Sequence, residues 1–345
     1  MVLLTGATGK IGKLLAAELL RQNFKVRILV RKGSSSALSH RLPSDAEIFR
    51  GDIRDFSSVS KAVEGVSLVF HLAALLHVNL PDPSMDLDYH NINVLGTWNI
   101  LKASLYHGVQ RVVFFSTVAV YGNSVYGETF CEESRINPTT PYAVTKAGAE
   151  QLAIGVNDML KSKDRFPLVT ILRLSSVYGP GVTGNYLKLI GAVRRGFFII
   201  PADSRLNPAG ALRSLINEED VVRGAILAAT HPEAPGKIYN LTDGHVHTLQ
   251  DIVLSIAGAM DKKMILIKVP AKPFQLTVDK LDRFSSLNCL IPNKIAVFLG
   301  HVSHALDKLM ENCPVNGSKI QRELGFKPKY NLNQGWHRAM LEMYD

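Results

Sequence analysis

Apolar positions along this chain follow two rhythms. Val2–Leu4 is a short apolar run of the kind a buried strand needs. Leu14, Leu15 and Leu19 then recur at the spacing of one helix face. The alternation continues, and strands are predicted over Val26–Val30, Ile48–Arg50, Leu68–Leu72, Arg111–Ser116 and Leu168–Leu174. Helices are predicted near Ile11–Gln22, Phe56–Val63, His90–His107 and Tyr142–Lys161. Apolar strands separated by amphipathic helices build a parallel sheet covered on both faces. After Gly179-Pro180 the pattern loosens into a helix at Glu219–Thr230, a strand at Lys237–Leu241 and a helix at Leu249–Met260. It is irregular from Lys262 onward. The expected architecture is α/β, with a doubly wound parallel sheet over residues 1–175. A smaller, partly interwoven lobe follows over 176–345, and 215–242 return to the sheet.

The first strand leads into the helix through Thr5-Gly6-Ala7-Thr8-Gly9-Lys10-Ile11-Gly12. A strand, a glycine turn and a helix N-terminus in that order make a phosphate site, because free backbone N–H groups and the positive end of the helix dipole face the anion. Gly6 permits the turn, Gly9 lets the backbone approach a pyrophosphate, and Gly12 lets the helix pack on the strand. A glycine triplet alone also fits a loop that binds no nucleotide.

Tyr142 and Lys146 stand four apart on a predicted helix, so their side chains share a face. An ammonium beside a phenol favours phenolate and is expected to lower the Tyr142 pKa. Tyr142 then takes a proton from a hydroxyl or gives one to a ketone. Such a pair also occurs on ordinary amphipathic helices.

Composition narrows the function classes. With 46% apolar and 20% charged residues, the 345-residue chain is an ordinary globular protein with room for one to three domains. Its +9 net charge is dispersed, with short clusters at Arg194-Arg195 and Lys262-Lys263. No basic run has interleaved aromatics, which argues against nucleic acid. A positive field suits polyanionic small ligands, though it also describes a protein that is simply basic. Cys131, Cys289 and Cys313 form neither a metal spacing nor a disulfide framework, so a reducing cytoplasm is expected. No leader segment is expected, and no apolar run approaches the ~20 residues of a membrane span. Ile291–Leu299 is interrupted by Asn293 and Lys294 and suggests surface or lid packing. No membrane partner is expected.

His245 and His247 would share one side of a strand but lack a third ligand, so no metal is expected. Cys131 beside Glu132 and Glu133 is not placed for an activated thiolate. Asp86, Asp88, Glu132 and Glu133 fit solvated loop charges.

Further landmarks follow the glycine motif in order. They are Gly51-Asp52-Ile53, His71-Leu72-Ala73-Ala74, Asn93-Val94-Leu95-Gly96-Thr97, Ser116-Thr117 with Val120-Tyr121-Gly122, and Tyr142-Ala143-Val144-Thr145-Lys146. Together these resemble an extended short-chain dehydrogenase/reductase of the NAD-dependent epimerase/dehydratase family, over essentially the whole chain. The resemblance implies a Rossmann-type sheet with a C-terminal substrate lobe. It implies a cofactor site of Gly6, Thr8, Gly9, Lys10, Ile11, Gly12, Arg31, Lys32, Asp52, Ile53, Leu72, Ala73, Ala74, Asn93, Tyr142 and Lys146. In it Asp52 accepts the adenine amino group, and Lys146 holds the nicotinamide ribose. Thr117, Tyr142 and Lys146 are the implied catalytic set. A homodimer through the helices at His90–His107 and Tyr142–Lys161 is implied as well.

An NAD enzyme usually carries an acidic residue where the second strand ends. Here Val30-Arg31-Lys32-Gly33-Ser34 stands there, and Arg31, Lys32 and Ser34 suit a 2′-phosphate. NADP is therefore the expected cofactor, with NAD the alternative; a surface Arg-Lys pair with no cofactor contact also fits. Thr117 is followed by Val118-Ala119 rather than an Asp-Glu pair, which argues against a 4,6-dehydratase.

Arg173-Leu174-Ser175-Ser176-Val177-Tyr178-Gly179-Pro180 resembles the family's nucleotide-sugar segment, with Ser176 where asparagine is usual. Arg213-Ser214-Leu215-Ile216 resembles the segment whose arginine grips a nucleotide diphosphate; an ion pair with Glu218, Glu219 or Asp220 is the plainer role for Arg213. Residues 316–328 resemble the C-terminal signature of sugar-modifying members. Ser116, Thr117, Ser176 and Arg213 are the expected substrate contacts. The leading expectation is epimerisation or ketoreduction at C4 of a UDP-sugar. The alternatives are an NADPH-dependent reductase of a steroid- or flavonoid-like ketone, and a non-catalytic dinucleotide sensor or assembly subunit.

Overall fold

The computed structural model describes residues 1–31, 33, 42–76, 85–124, 128–182, 184–202, 209–270, 276, 280 and 310–344. Lys32, Ser34, Cys289 and the 291–299 stretch lie outside the described residues. Seven strands form one parallel sheet: β1 (Val2–Thr5), β2 (Val26–Val30), β3 (Glu47–Arg50), β4 (Leu68–His71), β5 (Arg111–Thr117), β6 (Val169–Leu174) and β10 (Ile238–Leu241). Their order is β3-β2-β1-β4-β5-β6-β10. The direction of succession reverses between β1 and β4, which opens a crevice at the C-terminal ends of those strands.

The alternating pattern of β1 explains the two layers. Val2 and Leu4 join Leu15 and Leu19 of α1 (Lys10–Arg21) and Ala225 of α7 (Glu218–Thr230). Leu3 joins Val59 of α2 (Phe56–Val63), Ile100 of α4 (Gly96–Tyr106) and Ala149 of α5 (Pro141–Lys161). Caps fix the helix starts. Asp55 accepts from the Ser57 and Ser58 N–H groups, Thr140 accepts from Ala143 ahead of Pro141 in the first turn, and Asn217 accepts from Glu219.

The single helix predicted at His90–His107 begins earlier and is not uniform. It consists of α3 (Asp86–Tyr89), a π-helical turn at His90–Leu95, and α4. The wider turn lets the Asn93 side chain leave the helix for Leu75, while the Thr97 hydroxyl takes the Asn93 carbonyl at 2.6 Å.

The second lobe holds a three-stranded sheet, β11-β9-β7, from β7 (Ser176–Tyr178), β9 (Leu212–Asn217) and β11 (Val246–Thr248). A separate parallel ribbon pairs β8 (Phe197–Ala202) with β12 (Ile265–Pro270). Helices α6 (Asn185–Arg194) and α8 (Leu249–Ala259) pack on these strands. The chain returns to the main sheet at α7 and β10.

The irregularity predicted after Lys262 gives way to α9 (Ser318–Leu324) and α10 (Leu332–Tyr344). Helix α9 lays Ile320 and Leu324 on the main core, and α10 buries Trp336, stacked on Tyr178 at 4.8 Å. Among the described residues no helix is long and apolar enough to cross a membrane.

Candidate active site

The glycine turn lies at the crevice between β1 and β4. A Cβ at Gly6, whose φ is +76°, would lie 2.7 Å from the Ala73 nitrogen. One at Gly12 would collide with the Gly6 carbonyl and lie 2.7 Å from Ala7 Cα. The backbone is therefore packed to a closeness that only glycine allows. Gly9 is exposed at the N-terminus of α1. No side chain caps that helix, and its first turn carries no acidic residue, so the turn is set for an anion. Ala73 N–H donates to Thr5 Oγ1 at 3.2 Å, and Leu72 N–H to the Thr5 carbonyl, which fixes the small-residue segment beside the glycines. These features fit a dinucleotide pyrophosphate.

Other expected cofactor residues have different surroundings. Thr8 and Ile11 are half-buried, and Ile11 packs on the core of α1 and α7. The Lys10 ammonium pairs with Glu218 at the start of α7. Burial raises the Glu218 pKa, Lys10 opposes the rise, and the side chain lies against Gly179. Asp52 forks onto Arg54, with Nη2–Oδ2 at 2.7 Å, and Arg54 holds its carboxyl below the usual range. Ile53 packs against Gly96. Arg31 is exposed beyond β2, and its charge adds to the lowering at Asp52.

Asn93 is bonded within the protein. It is buried, accepts from Leu75 N–H at 2.7 Å, and donates to the Leu75 carbonyl and to Thr145 Oγ1. Its amide ties the segment after β4 to α5, and so positions the helix that carries Tyr142. His71 is buried between Thr5 Oγ1 (2.8 Å) and Thr97 Oγ1 (3.0 Å). Burial and then the Lys146 charge pull its pKa down to about 3.

Thr117, Tyr142, Ser176 and Arg213 line one cavity of about 580 Å³, although they come from β5, α5, β7 and β9. Thr117 also caps the 3-10 turn Val118–Tyr121 through Ala119 N–H. Ser116 does not join them. Alternation along β5 turns it to the other face, where it is buried and its hydroxyl has no hydrogen-bond partner among the described residues. Glu218 pairs with Lys10, Glu219 with Lys329 and Arg338, and Asp220 with Arg223, while Arg213 Nε donates toward the Glu311 carbonyl at 3.4 Å.

The electrostatics reverse one expectation. Tyr142 is buried, and desolvation, with the nearby Tyr89, raises its pKa above the ordinary value. Lys146 is buried too, its Nζ 4.1 Å from the centre of the Phe114 ring. Burial lowers it to about 7, while Glu150 one turn on works against the drop. Burial thus shifts both groups toward their neutral forms.

Sequence reasoning missed what stands behind this helix. Glu150 and Arg173 form a buried ion pair with Nη2–Oε2 at 2.7 Å, and Arg173 Nη1 donates to the Tyr121 hydroxyl, which donates to Asn240. Burial opposes the Arg173 charge, but the bonds and charge of Glu150 hold its pKa above the ordinary value. Glu132, read as solvated, accepts from Asn240 N–H and has a pKa raised by burial. Tyr186 and Glu311 also line the cavity, and nothing in the sequence marks them. Among the described residues no group of three His, Cys, Asp or Glu side chains is set to hold a metal.

A glycine cradle at the strand-order reversal, next to a cavity holding Thr117 and Tyr142, defines a dinucleotide-dependent enzyme of the short-chain dehydrogenase/reductase class. The chain belongs to the NAD dependent epimerase/dehydratase family, whose sequence profile matches residues 2–242. It is 28% identical over 346 residues to a UDP-glucose 4-epimerase of Vibrio cholerae, covering 98% of this chain and 94% of that one. It is also 28% identical to a 4-hydroxy-2-methyl-3-oxo-4-farnesyl-3,4-dihydroquinoline-1-oxide ketoreductase of Stigmatella aurantiaca, covering 96% and 93%. Its fold matches the solved structure of MoeE5 in complex with UDP-glucuronic acid and NAD at 25% identity. The TM-score is 0.72, covering 99% of this chain and 98% of that one.

Proposed function

We propose that the chain acts at C4 of a UDP-sugar, with Tyr142 moving the proton at the C4 oxygen and Thr117 hydrogen-bonding the same oxygen. The observation that carries this reading is the shared cavity of Thr117, Tyr142, Ser176 and Arg213. A guanidinium in its lining suits a diphosphate, which arginine grips through two parallel bonds. The 4-epimerase relative and the UDP-sugar complex of MoeE5 support it.

A bound nicotinamide supplies the acceptor and donor of hydride. The glycine turn and Ala73 would hold the dinucleotide, and Lys146 would reach its ribose. Residues 1–175 and 215–242 form the dinucleotide part, and the remainder receives the substrate. Tyr142 rests as the phenol, the form that donates a proton to a ketone oxygen. Taking a proton from a hydroxyl needs Lys146 charged beside it, and Glu150 favours that charge. Arg31 suits NADP; the NAD in the MoeE5 complex favours the other dinucleotide. Exposed Leu95, Trp98, Val144 and Met159 suit a homodimer packed through α4 and α5, working in the cytoplasm.

A second reading rests on the cavity's apolar walls, Leu76, Val118, Leu174, Leu189, Phe198 and Leu249. These suit a hydrophobic ketone, in line with the ketoreductase relative.

Thermal unfolding with and without UDP separates the two. On the sugar reading UDP protects the wild type, and Arg213→Ala loses that protection while keeping dinucleotide binding. If UDP leaves the wild type unchanged, the ketone reading takes its place.

A further inference from the structure

The ribbon of β8 and β12, which lends Phe198 to the cavity, has an outer side with its own chemistry. β8 and β12 run parallel in register, Ile265 beside Phe197 and Ile267 beside Ile199. Alternation along β8 turns Phe198 and Ile200 into the lobe's core and Phe197 and Ile199 outward. On the outward side Phe197 is 49% exposed, Ile199 42%, Ile265 68% and Ile267 45%. A solvated sheet face ordinarily carries polar residues at these positions. Four large apolar side chains in two adjacent pairs make a contiguous patch, which marks a contact surface.

The charges around the patch say what kind of contact it makes. Because the strands are parallel, both begin at the same end. Arg194-Arg195 stands just before β8 and Lys262-Lys263 just before β12, and all four are exposed. Ile265 N–H donates to the Gly196 carbonyl at 3.0 Å, which holds the two starts together. Asp261 is the acidic residue next to them in sequence. An apolar strip with a cationic end matches the layering of an anionic membrane, with acyl chains below and phosphates above.

We propose that the outer face of β8 and β12 docks on the surface of an anionic lipid bilayer. Phe197, Ile199, Ile265 and Ile267 enter the boundary between headgroups and acyl chains, and the two dibasic pairs engage lipid phosphates. The attachment is peripheral, where no membrane partner was expected. Phe198, one residue along on the opposite side, lines the active-site cavity, so docking brings that cavity within a strand's thickness of the bilayer.

Co-sedimentation of the full-length enzyme with vesicles tests this. Vesicles containing phosphatidylglycerol should bind at least tenfold more protein than phosphatidylcholine alone, and high salt should weaken the binding. Phe197→Ser with Ile267→Ser, and separately Arg194→Gln, Arg195→Gln, Lys262→Gln and Lys263→Gln together, should each reduce binding at least tenfold with dinucleotide binding unchanged. The charge variant alters only exposed positions and keeps the test decisive if the apolar variant misfolds. An Ile267→Trp protein should show a blue-shifted emission with phosphatidylglycerol vesicles. The proposal is overturned if the wild type binds neither vesicle. It is also overturned if the charge variant binds like wild type, or if sedimentation analysis shows a self-association that Phe197→Ser abolishes.

Discussion

Replacing Glu150 by glutamine tests how the catalytic helix is held. Glu150 is fully buried on α5, one turn beyond Lys146, and its carboxylate accepts from Arg173 Nε at 3.0 Å and from Nη2 at 2.7 Å. Arg173 is itself buried on β6, so the variant strands a guanidinium away from water. Removing one partner of such a pair costs about 3–5 kcal/mol. Urea unfolding of Glu150→Gln, Arg173→Met and the double variant should therefore give a strongly non-additive cycle. The double variant should recover much of the loss, because no buried charge is then unpaired. A second readout is functional. Glu150 opposes the burial that lowers Lys146 to about 7. Without it the pKa falls further, and activity that needs charged Lys146 should decline from a lower pH than in wild type. A single-variant loss under about 1 kcal/mol, or an additive cycle, would show that the pair does not carry the helix.

Gly12→Ala should abolish dinucleotide binding and cost about 1–3 kcal/mol of stability, since its methyl collides with the Gly6 carbonyl; calorimetry and urea unfolding check both. His71 has a folded pKa of about 3 against an ordinary 6.5, so its contribution is complete above pH 6.5 and is lost as pH falls toward 3. Stability should therefore fall as the pH drops from 6.5 toward 3, and His71→Gln should flatten that part of the stability profile. Arg31→Ala should weaken NADP binding by about 1.5–3 kcal/mol and leave NAD little changed; equal losses would remove Arg31 from 2′-phosphate recognition.

The seven-stranded sheet was legible because most of its strands are short apolar runs separated by amphipathic helices. Most strand bounds fall within a residue of those predicted. The lobe was less legible for a physical reason. β7 and β11 are only three residues long, and the β8–β12 ribbon pairs segments more than 60 residues apart, so no local period announces them. Helix α10 does repeat Leu332, Trp336, Ala339 and Met340 at helical spacing, but its core is supplied by Tyr178, distant along the chain. At the site, the glycine turn followed from the steric needs of a close backbone approach. The roles of Asn93 and Ser116 did not, because which face a side chain takes depends on the π turn and on strand register. The direction of the Tyr142 pKa depended on burial, which spacing does not reveal.

The most direct test of the central claim is to incubate the enzyme with UDP-glucose and follow the configuration and oxidation state of C4 by NMR, for wild type and Tyr142→Phe. The wild type should convert the sugar at C4. Tyr142→Phe should lose roughly 10²–10⁴-fold of that activity with dinucleotide binding retained, as removal of a general acid–base group requires. Wild-type rates in Tyr142→Phe would contradict the role of the phenol. Oxidation of NADPH with an apolar ketone, while UDP-glucose and other UDP-sugars remain unchanged, would contradict the substrate.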